Sequence, residues 1–177
     1  MNSITVDPVK YPIGRFSKPI AYDAPSVTKS IESLEALPSK LLAFVQNFSD
    51  ADWEKHYRPG SWTIRQILNH LVDANVNNYI RFKFALTEES PAIKPYLEDL
   101  WSMLPDAAQG DVQPALNLLV AIHAKWVQSL KLMTEEDFRR DFFHPQQNRQ
   151  VPLYEALAMY TWHSEHHFAH IRLAMIQ

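Results

Sequence analysis

The sequence predicts an all-α protein, a bundle of four long helices with an extended N-terminal arm and short satellite helices. The first observation behind this prediction is the composition, with three glycines and twelve prolines in 177 residues. So few glycines leave few positions for the positive-φ turns on which hairpin-rich β folds depend. The second observation is that apolar residues recur at spacings of three and four through four long segments, which is typical of helices with one buried face.

Length and charge indicate one ordinary globular domain. The chain has 17 Lys and Arg residues and 20 Asp and Glu residues, so its formal net charge is −3 with histidine neutral. This near balance, without a basic run, argues against nucleic acid as a partner. The chain has no cysteine, which excludes disulfides, thiolate zinc ligands and a cysteine nucleophile.

The N-terminus lacks the apolar segment of a signal peptide, and the apolar runs of the chain are far shorter than a membrane-spanning helix. We therefore expect a cytoplasmic protein with no membrane partner.

Residues 1–24 carry Pro8, Pro12 and Pro19 without a helical period, so they are predicted to form an extended arm that lies against the rest of the molecule. Residues 25–177 are then the bundle, as a single domain.

The first long helix is predicted to begin at Pro25, since proline suits the first turn of a helix. Its apolar residues continue at helical spacing to Phe48. Pro38 lies inside this segment, where a missing backbone donor is expected to kink or split the helix.

Three further long helices follow. Thr63 and Gln66 have the spacing of a capping box and predict a helix to about Leu86. Asp111 is a candidate cap for the third long helix, and the last one is predicted from about Leu153 almost to the end of the chain.

The connections between these helices differ in length. Residues 87–110 form a long proline-containing connection, of the kind that in compact domains is usually functional or a packed crossover. Thr134 is a candidate cap for a short helix through Phe138. Residues 141–150, DFFHPQQNRQ, are predicted to be an irregular loop.

The last helix carries four histidines in the segment WHSEHHFAH, at positions 163, 166, 167 and 170. On a helical wheel His163 and His167 lie nearest the apolar side, whereas His166 and His170 lie further from it. Residues four apart stand one turn above one another, so this pair can hold one metal ion. A solvated, histidine-rich surface is the alternative.

A third metal ligand is expected from another helix, and His70 is the best candidate because it shares the inward side of the second long helix. Weaker alternatives are His123, which fits a hydrogen-bonded core residue, and His56 and His144 in predicted loops. A buried, hydrogen-bonded core histidine is also an alternative for His70. Three imidazoles and a water would complete a tetrahedral catalytic zinc site, and nickel or other divalent ions suit the same ligands.

A polar stripe on the second long helix continues from His70 and includes Asp73 and Arg81. Arg81 is a candidate for binding an anionic substrate group, since a guanidinium pairs well with a carboxylate. Asp73, one turn from His70, is a candidate for orienting a ligand or transferring a proton. The alternative for this stripe is a solvated flank of the helix.

Five segments of the sequence occur in an order that resembles a known family. They are YPIGRF, GSWTIRQILNHLVD, NNYIRFKFALTEESPAIKP, FFHP and YTWHSEHHFAHI. In this order they are similar to the DinB-like superfamily, and within it to the branch of metal-dependent hydrolases and bacillithiol S-transferases. The resemblance spans nearly the whole chain.

This resemblance implies a four-helix bundle with up-down-down-up connectivity that is often dimeric. It also implies one divalent metal ion per chain, zinc or nickel, held by three histidines. Matched by motif, these ligands are His70 in NHLVD and His163 and His167 in WHSEHH.

The sequence therefore predicts a homodimeric, metal-dependent enzyme that acts on a small molecule. It would transfer a low-molecular-weight thiol to an electrophile, as a bacillithiol-type S-transferase does, or hydrolyse a substrate with an activated water. Because the chain has no cysteine, the thiol would have to arrive as a separate molecule. The alternative is a binding or structural module in which the metal only clips the helices together.

Overall fold

The computed structural model describes residues 7–176. Its four long helices confirm the predicted all-α bundle: α1 (Ala24–Val45), α3 (Ile64–Thr87), α6 (Gln113–Leu130) and α8 (Leu153–Ala174). The short elements between them are α2 (Asp50–Trp53), α4 (Glu98–Ser102), α5 (Pro105–Ala108), α7 (Glu135–Arg139) and the strands β1 (Asp141–His144) and β2 (Arg149–Pro152). Within this described part of the chain, no helix is both long and apolar enough to cross a membrane.

Helices α1 and α8 are neighbours that run in the same direction. Thr161 lies beside the carbonyl of Ser30 at 3.5 Å, and one turn further along both helices the Ser33 hydroxyl donates to Glu165 at 2.6 Å. Both α1 and α3 pack against α6 and against α8. The two helices α1 and α3 therefore stand diagonally across the bundle.

Helix α3 runs opposite to α8. His70, in the first half of α3, lies beside His163, whereas Arg81, nearer its end, lies beside the earlier residue Tyr160.

Helices α3 and α6 run in the same direction. Near the start of α3, Arg65 donates to the carbonyl of Gly110, just before α6, and near its end Phe82 packs against Trp126. The four long helices therefore have the up-down-down-up connectivity that the resemblance implies.

The predicted capping box at Thr63 and the predicted cap at Thr134 are both confirmed. The Thr63 hydroxyl accepts from the backbone N–H of Gln66 at 3.2 Å, and the Gln66 amide oxygen accepts from the backbone N–H of Thr63 at 3.0 Å. Thr134 and Asp137 make the same reciprocal pair at the start of α7. These caps satisfy N–H groups that have no partner inside the helix.

Helix α1 differs in two respects from its prediction. It begins at Ala24, with Asp23 as its cap, so Pro25 lies in the first turn. It also continues without a break through Pro38, so the predicted long helix is confirmed and, of the two effects expected of Pro38, the split does not occur. The carbonyl of Leu34, which Pro38 cannot bond, accepts instead from the His123 ring at 2.8 Å.

Residues 141–150 are not the irregular loop that the sequence predicted. Strands β1 and β2 pair in antiparallel fashion, with Phe142 opposite Val151 and His144 opposite Arg149. The inward side chains Phe142 and Val151 are buried, and this burial against the bundle stabilises a hairpin too short to be stable alone.

The N-terminal arm lies along α8 in the opposite direction to the helix. Lys18 pairs with Glu155 at 3.1 Å, Phe16 packs on Trp162 and Tyr11 packs on His166. The first six residues of the predicted arm lie outside the described part of the chain. The arm therefore covers part of the histidine-rich segment.

Candidate metal centre

Three histidines from two helices meet between α3 and α8. The candidate ligand atoms of His70, His163 and His167 all lie within 4.8 Å of one another. His163 and His167 are one turn apart on α8, and the antiparallel packing of α3 brings His70 opposite them. These are the three residues that the sequence and the family resemblance selected.

The spacing of the ring nitrogens fits one metal ion. The Nε2 atoms of His70 and His163 are 3.1 Å apart. Two nitrogens that bind zinc at about 2.0–2.1 Å in tetrahedral geometry are separated by roughly 3.3 Å. The Nδ1 atom of His167 is buried without a hydrogen-bond partner among the described residues. Three imidazoles with available nitrogens therefore form a donor set that suits a divalent ion.

The surroundings keep all three imidazoles neutral. Burial lowers the pKa of His70 to about 4. Burial, followed by the neighbouring histidines, lowers the pKa of His163 to about 3 and that of His167 well below its ordinary value. A neutral imidazole is the form that binds metals. The Trp62 ring packs on His70, with centroids 4.7 Å apart, and contributes to this burial.

The other two histidines of the segment are more buried than the helical wheel suggested. His166 stacks on Trp162 and contacts Tyr11 of the arm. His170 stacks on Tyr57 with centroids 3.9 Å apart, and its ring donates to a carbonyl of the arm at 3.3 Å. The arm and the loop after α2 cover these two residues, and neither belongs to the three-histidine cluster.

A cavity of about 300 Å³ opens beside the cluster, and His70 and His163 form part of its wall. Arg81 also lines this cavity. Its guanidinium donates to Asn78 at 3.4 Å and to the Tyr160 hydroxyl at 3.3 Å, both of which are neutral acceptors. Among the described residues it forms no ion pair with a carboxylate, and Glu98 is the one acidic side chain in the described lining of the same cavity.

Asp73, the other predicted residue of the polar stripe, is half-buried and is not part of the cavity wall. Burial first, and then the nearby charge of Asp106, raises its pKa to about 6. Its charge also raises the pKa of Tyr96, which does line the cavity. The roles predicted for Asp73 and Arg81 remain predictions.

The sequence did not identify several residues of the cavity wall. Tyr96 comes from the long connection before α4. His144, which the sequence offered only as a weaker alternative metal ligand, comes from the end of β1 and lies in the cavity wall. Asn78 and Tyr160 fall within predicted helices, and the sequence analysis assigned neither of them a functional role. The position of Tyr160, about one turn before His163, was the single available signal.

Comparison with known families matches residues 33–171 to the model of the DinB superfamily. A Bacillus subtilis protein named "Putative metal-dependent hydrolase YfiT" is 42% identical over 163 residues, which cover 92% of each chain. A Geobacillus thermodenitrificans protein named "Putative metal-dependent hydrolase" is 41% identical over 167 residues, or 94% of each chain.

Two solved structures share the fold. The structure of YfiT from Bacillus subtilis, described as a probable metal-dependent hydrolase with an unusual four-helix bundle topology, matches with a TM-score of 0.92. It is 40% identical over 96% of this chain and 98% of its own. A mycothiol-dependent maleylpyruvate isomerase, 16% identical over 82% of this chain and 60% of its own, has a TM-score of 0.65 and shares the fold alone. The chain belongs to the DinB superfamily.

Proposed function

We propose that the protein is a metal-dependent enzyme that acts on a small anionic molecule, with His70, His163 and His167 as ligands of one divalent ion. Zinc and nickel are the ions proposed. The observation that carries this proposal is that two of the three histidines line an open cavity of about 300 Å³. A metal that only clipped helices together would need no such access. The names of the two similar proteins support hydrolysis as the reaction.

When bound, a divalent ion with an open position lowers the pKa of a water or thiol beside it. The three histidines would hold the ion, and two of them, His70 and His163, line the cavity. Arg81 lies further along the same face of α3, where its guanidinium can bind a carboxylate of the substrate. Asn78 and Tyr160 orient that guanidinium through the two hydrogen bonds described above.

Asp73 is proposed to support proton transfer near the cavity. Its raised pKa of about 6 allows it to exchange a proton near neutral pH, which is the range in which an acid or base is most effective. Because Asp73 is outside the cavity wall, it would act on the site through its charge, which adds to the effect of burial in raising the pKa of Tyr96.

Thiol S-transfer is the second candidate reaction. The absence of cysteine from the chain means that the sulfur would come from a separate low-molecular-weight thiol. This reaction uses the same open metal position as hydrolysis, with a thiol in place of water. The two reactions therefore differ in the second substrate and not in the protein ligands.

Turnover assays separate the candidates. Purified protein, loaded with zinc or nickel, is tested on an ester and amide panel, and separately with a chromogenic electrophile and bacillithiol, cysteine or glutathione. We expect metal-dependent cleavage that is lost after chelation and in H163A. Thiol-dependent conjugation without cleavage would favour the transferase. Unfolding after chelation, with neither activity in the loaded protein, would favour a metal that only clips the helices.

A further inference from the structure

The wall of the metal cavity carries two opposite charges that do not pair with each other. Arg81 of α3 and Glu98, the first residue of α4, both line this cavity. Among the described residues, neither side chain takes part in an ion pair, and Arg81 donates only to the neutral groups of Asn78 and Tyr160. One cation and one anion therefore share the wall, each without a protein partner of opposite charge.

The other titratable side chains of the described lining carry no charge at neutral pH. Burial is the main cause that lowers the pKa of three histidines and raises the pKa of two tyrosines, namely His70, His144, His163, Tyr96 and Tyr160. The imidazoles are therefore neutral and the phenols protonated. This leaves Arg81 and Glu98 as the two charged side chains of the described lining.

Both charges lie near the same side chain of the wall. Burial raises the pKa of Tyr96, the charge of Arg81 opposes this effect, and the charges of Asp73 and Glu98 add to it. Of these two carboxylates only Glu98 lines the cavity. The cavity volume of about 300 Å³ is at the lower end of the range for small-molecule sites, so one small molecule can lie beside both charges.

The spacing of the two charges is fixed by the packing of α4 on α3. Arg81 is part of α3. Near the start of the same helix, the Gln66 side chain donates to the carbonyl of Ser102 on α4 at 3.0 Å, and Ser102 is only 2% exposed. This contact holds the helix that begins with Glu98 against the helix that carries Arg81.

The chemistry of the pair favours a ligand that carries both charges. A guanidinium binds a carboxylate, and a carboxylate binds an ammonium group, through charge-assisted hydrogen bonds. A ligand that is only anionic would gain from Arg81 but would be repelled by Glu98 in the same cavity. A zwitterion would gain from both groups.

We propose that the substrate of the metal cavity is a small amino acid or a derivative that keeps both charges, with its carboxylate bound by Arg81 and its ammonium group by Glu98. This inference rests on the proposed function, since it concerns the same cavity. It narrows the proposed anionic substrate to one that also carries an amino group.

The test uses three probes built on one six-carbon chain. Hexanoate has only the carboxylate, whereas L-norleucine and 6-aminohexanoate are isomers that add an amino group next to the carboxylate or at the far end of the chain. Dissociation constants are measured by ¹H–¹⁵N NMR titration of the zinc-loaded protein at low salt. At least one isomer should bind about two- to fivefold more tightly than hexanoate, the effect of one partly exposed ion pair.

Three variants locate the two charges of the probe. E98Q keeps the size of the side chain and removes its charge, so it should abolish the gain from the amino group without weakening hexanoate. The matched control is D99N, which removes an exposed charge from the same helix outside the described lining and should keep the gain. R81M should weaken hexanoate at least about tenfold, because it removes a charged hydrogen-bond donor.

The outcomes separate this inference from the function on which it rests. Hexanoate binding that depends on Arg81, with no gain for either isomer, would overturn the inference and leave the proposed anion site standing. A gain that survives in E98Q would also overturn it, because the amino group would then bind elsewhere, for example at the zinc ion. Hexanoate binding that R81M leaves unchanged would contradict the proposed role of Arg81, and with it the inference.

Discussion

Replacing Asp73 by Asn should stabilise the protein above pH 6 and have progressively less effect in acid. Burial and the charge of Asp106 raise the pKa of Asp73 from its ordinary value of 3.8 to about 6. Between these two values the folded state binds more protons than the unfolded state, so the free energy of unfolding falls as the pH rises. The cost of the ionised carboxylate is therefore absent below pH 3.8 and complete above pH 6.

The size of this cost follows from the change in pKa. At ~1.4 kcal/mol for each pKa unit, the ionised carboxylate could cost at most ~3 kcal/mol. Asp73 is only half-buried, and solvent screening reduces the expected cost to about 1 kcal/mol. D73N, which cannot ionise, should be more stable than the wild type by about this amount at pH 7.5.

Urea unfolding of the wild type and D73N between pH 4 and pH 8 measures this difference. Both proteins are kept metal-free with a chelator, so that release of metal in acid does not contribute. The control variant is D99N, because Asp99 on α4 has an exposed carboxylate. The difference in the free energy of unfolding between D99N and the wild type should change little over this pH range. A stability gain in D73N that does not depend on pH, or a loss at pH 7.5, would refute the reasoning.

Three further predictions concern the substrate, the fold and the assembly. R81M should raise the KM for an anionic substrate by roughly 10- to 100-fold, with partial recovery in R81K; an equal loss for a neutral substrate in steady-state kinetics would contradict this role. R149M should lower the free energy of unfolding by about 2 kcal/mol, because Arg149 pairs with the buried carboxylate of Glu155 at 2.5 Å. K131M, which breaks an exposed pair, should cost less than about 1 kcal/mol, and urea unfolding that ranks the two variants in the opposite order would contradict this. Light scattering at micromolar concentration should give the mass of a homodimer, and a monomer that stays monomeric on adding metal would contradict that prediction.

The long helices and the histidine cluster could be predicted because their signals are local. Helical spacing and capping residues lie within a few positions of one another, as Thr63 and Gln66 show. The pair His163 and His167 also lies within one turn. His70 could be added because its side of α3 was defined by the apolar residues around it.

Beyond His70, Arg81 and His163, the cavity wall could not be predicted because its other residues come from distant parts of the chain. Tyr96 and His144 reach the cavity only after the long connection and the β hairpin have packed on the bundle. The burial of His166 and His170 had no local signal either, since it comes from the arm and from Tyr57. A helical wheel describes the residues of a single helix. It therefore cannot predict contacts with segments that lack a helical periodicity, such as the arm. The predicted domain boundary and cytoplasmic location remain predictions.

Metal content is the most direct test of the central claim. Protein purified without a histidine tag should contain about one zinc or nickel ion per chain by elemental analysis. Alanine at His70, His163 or His167 should remove nearly all of it, whereas H166A and H170A should retain it, because these two lie outside the cluster. Protein that holds no divalent ion even after loading, or that loses the ion in H166A and H170A but keeps it in H163A, would contradict the account.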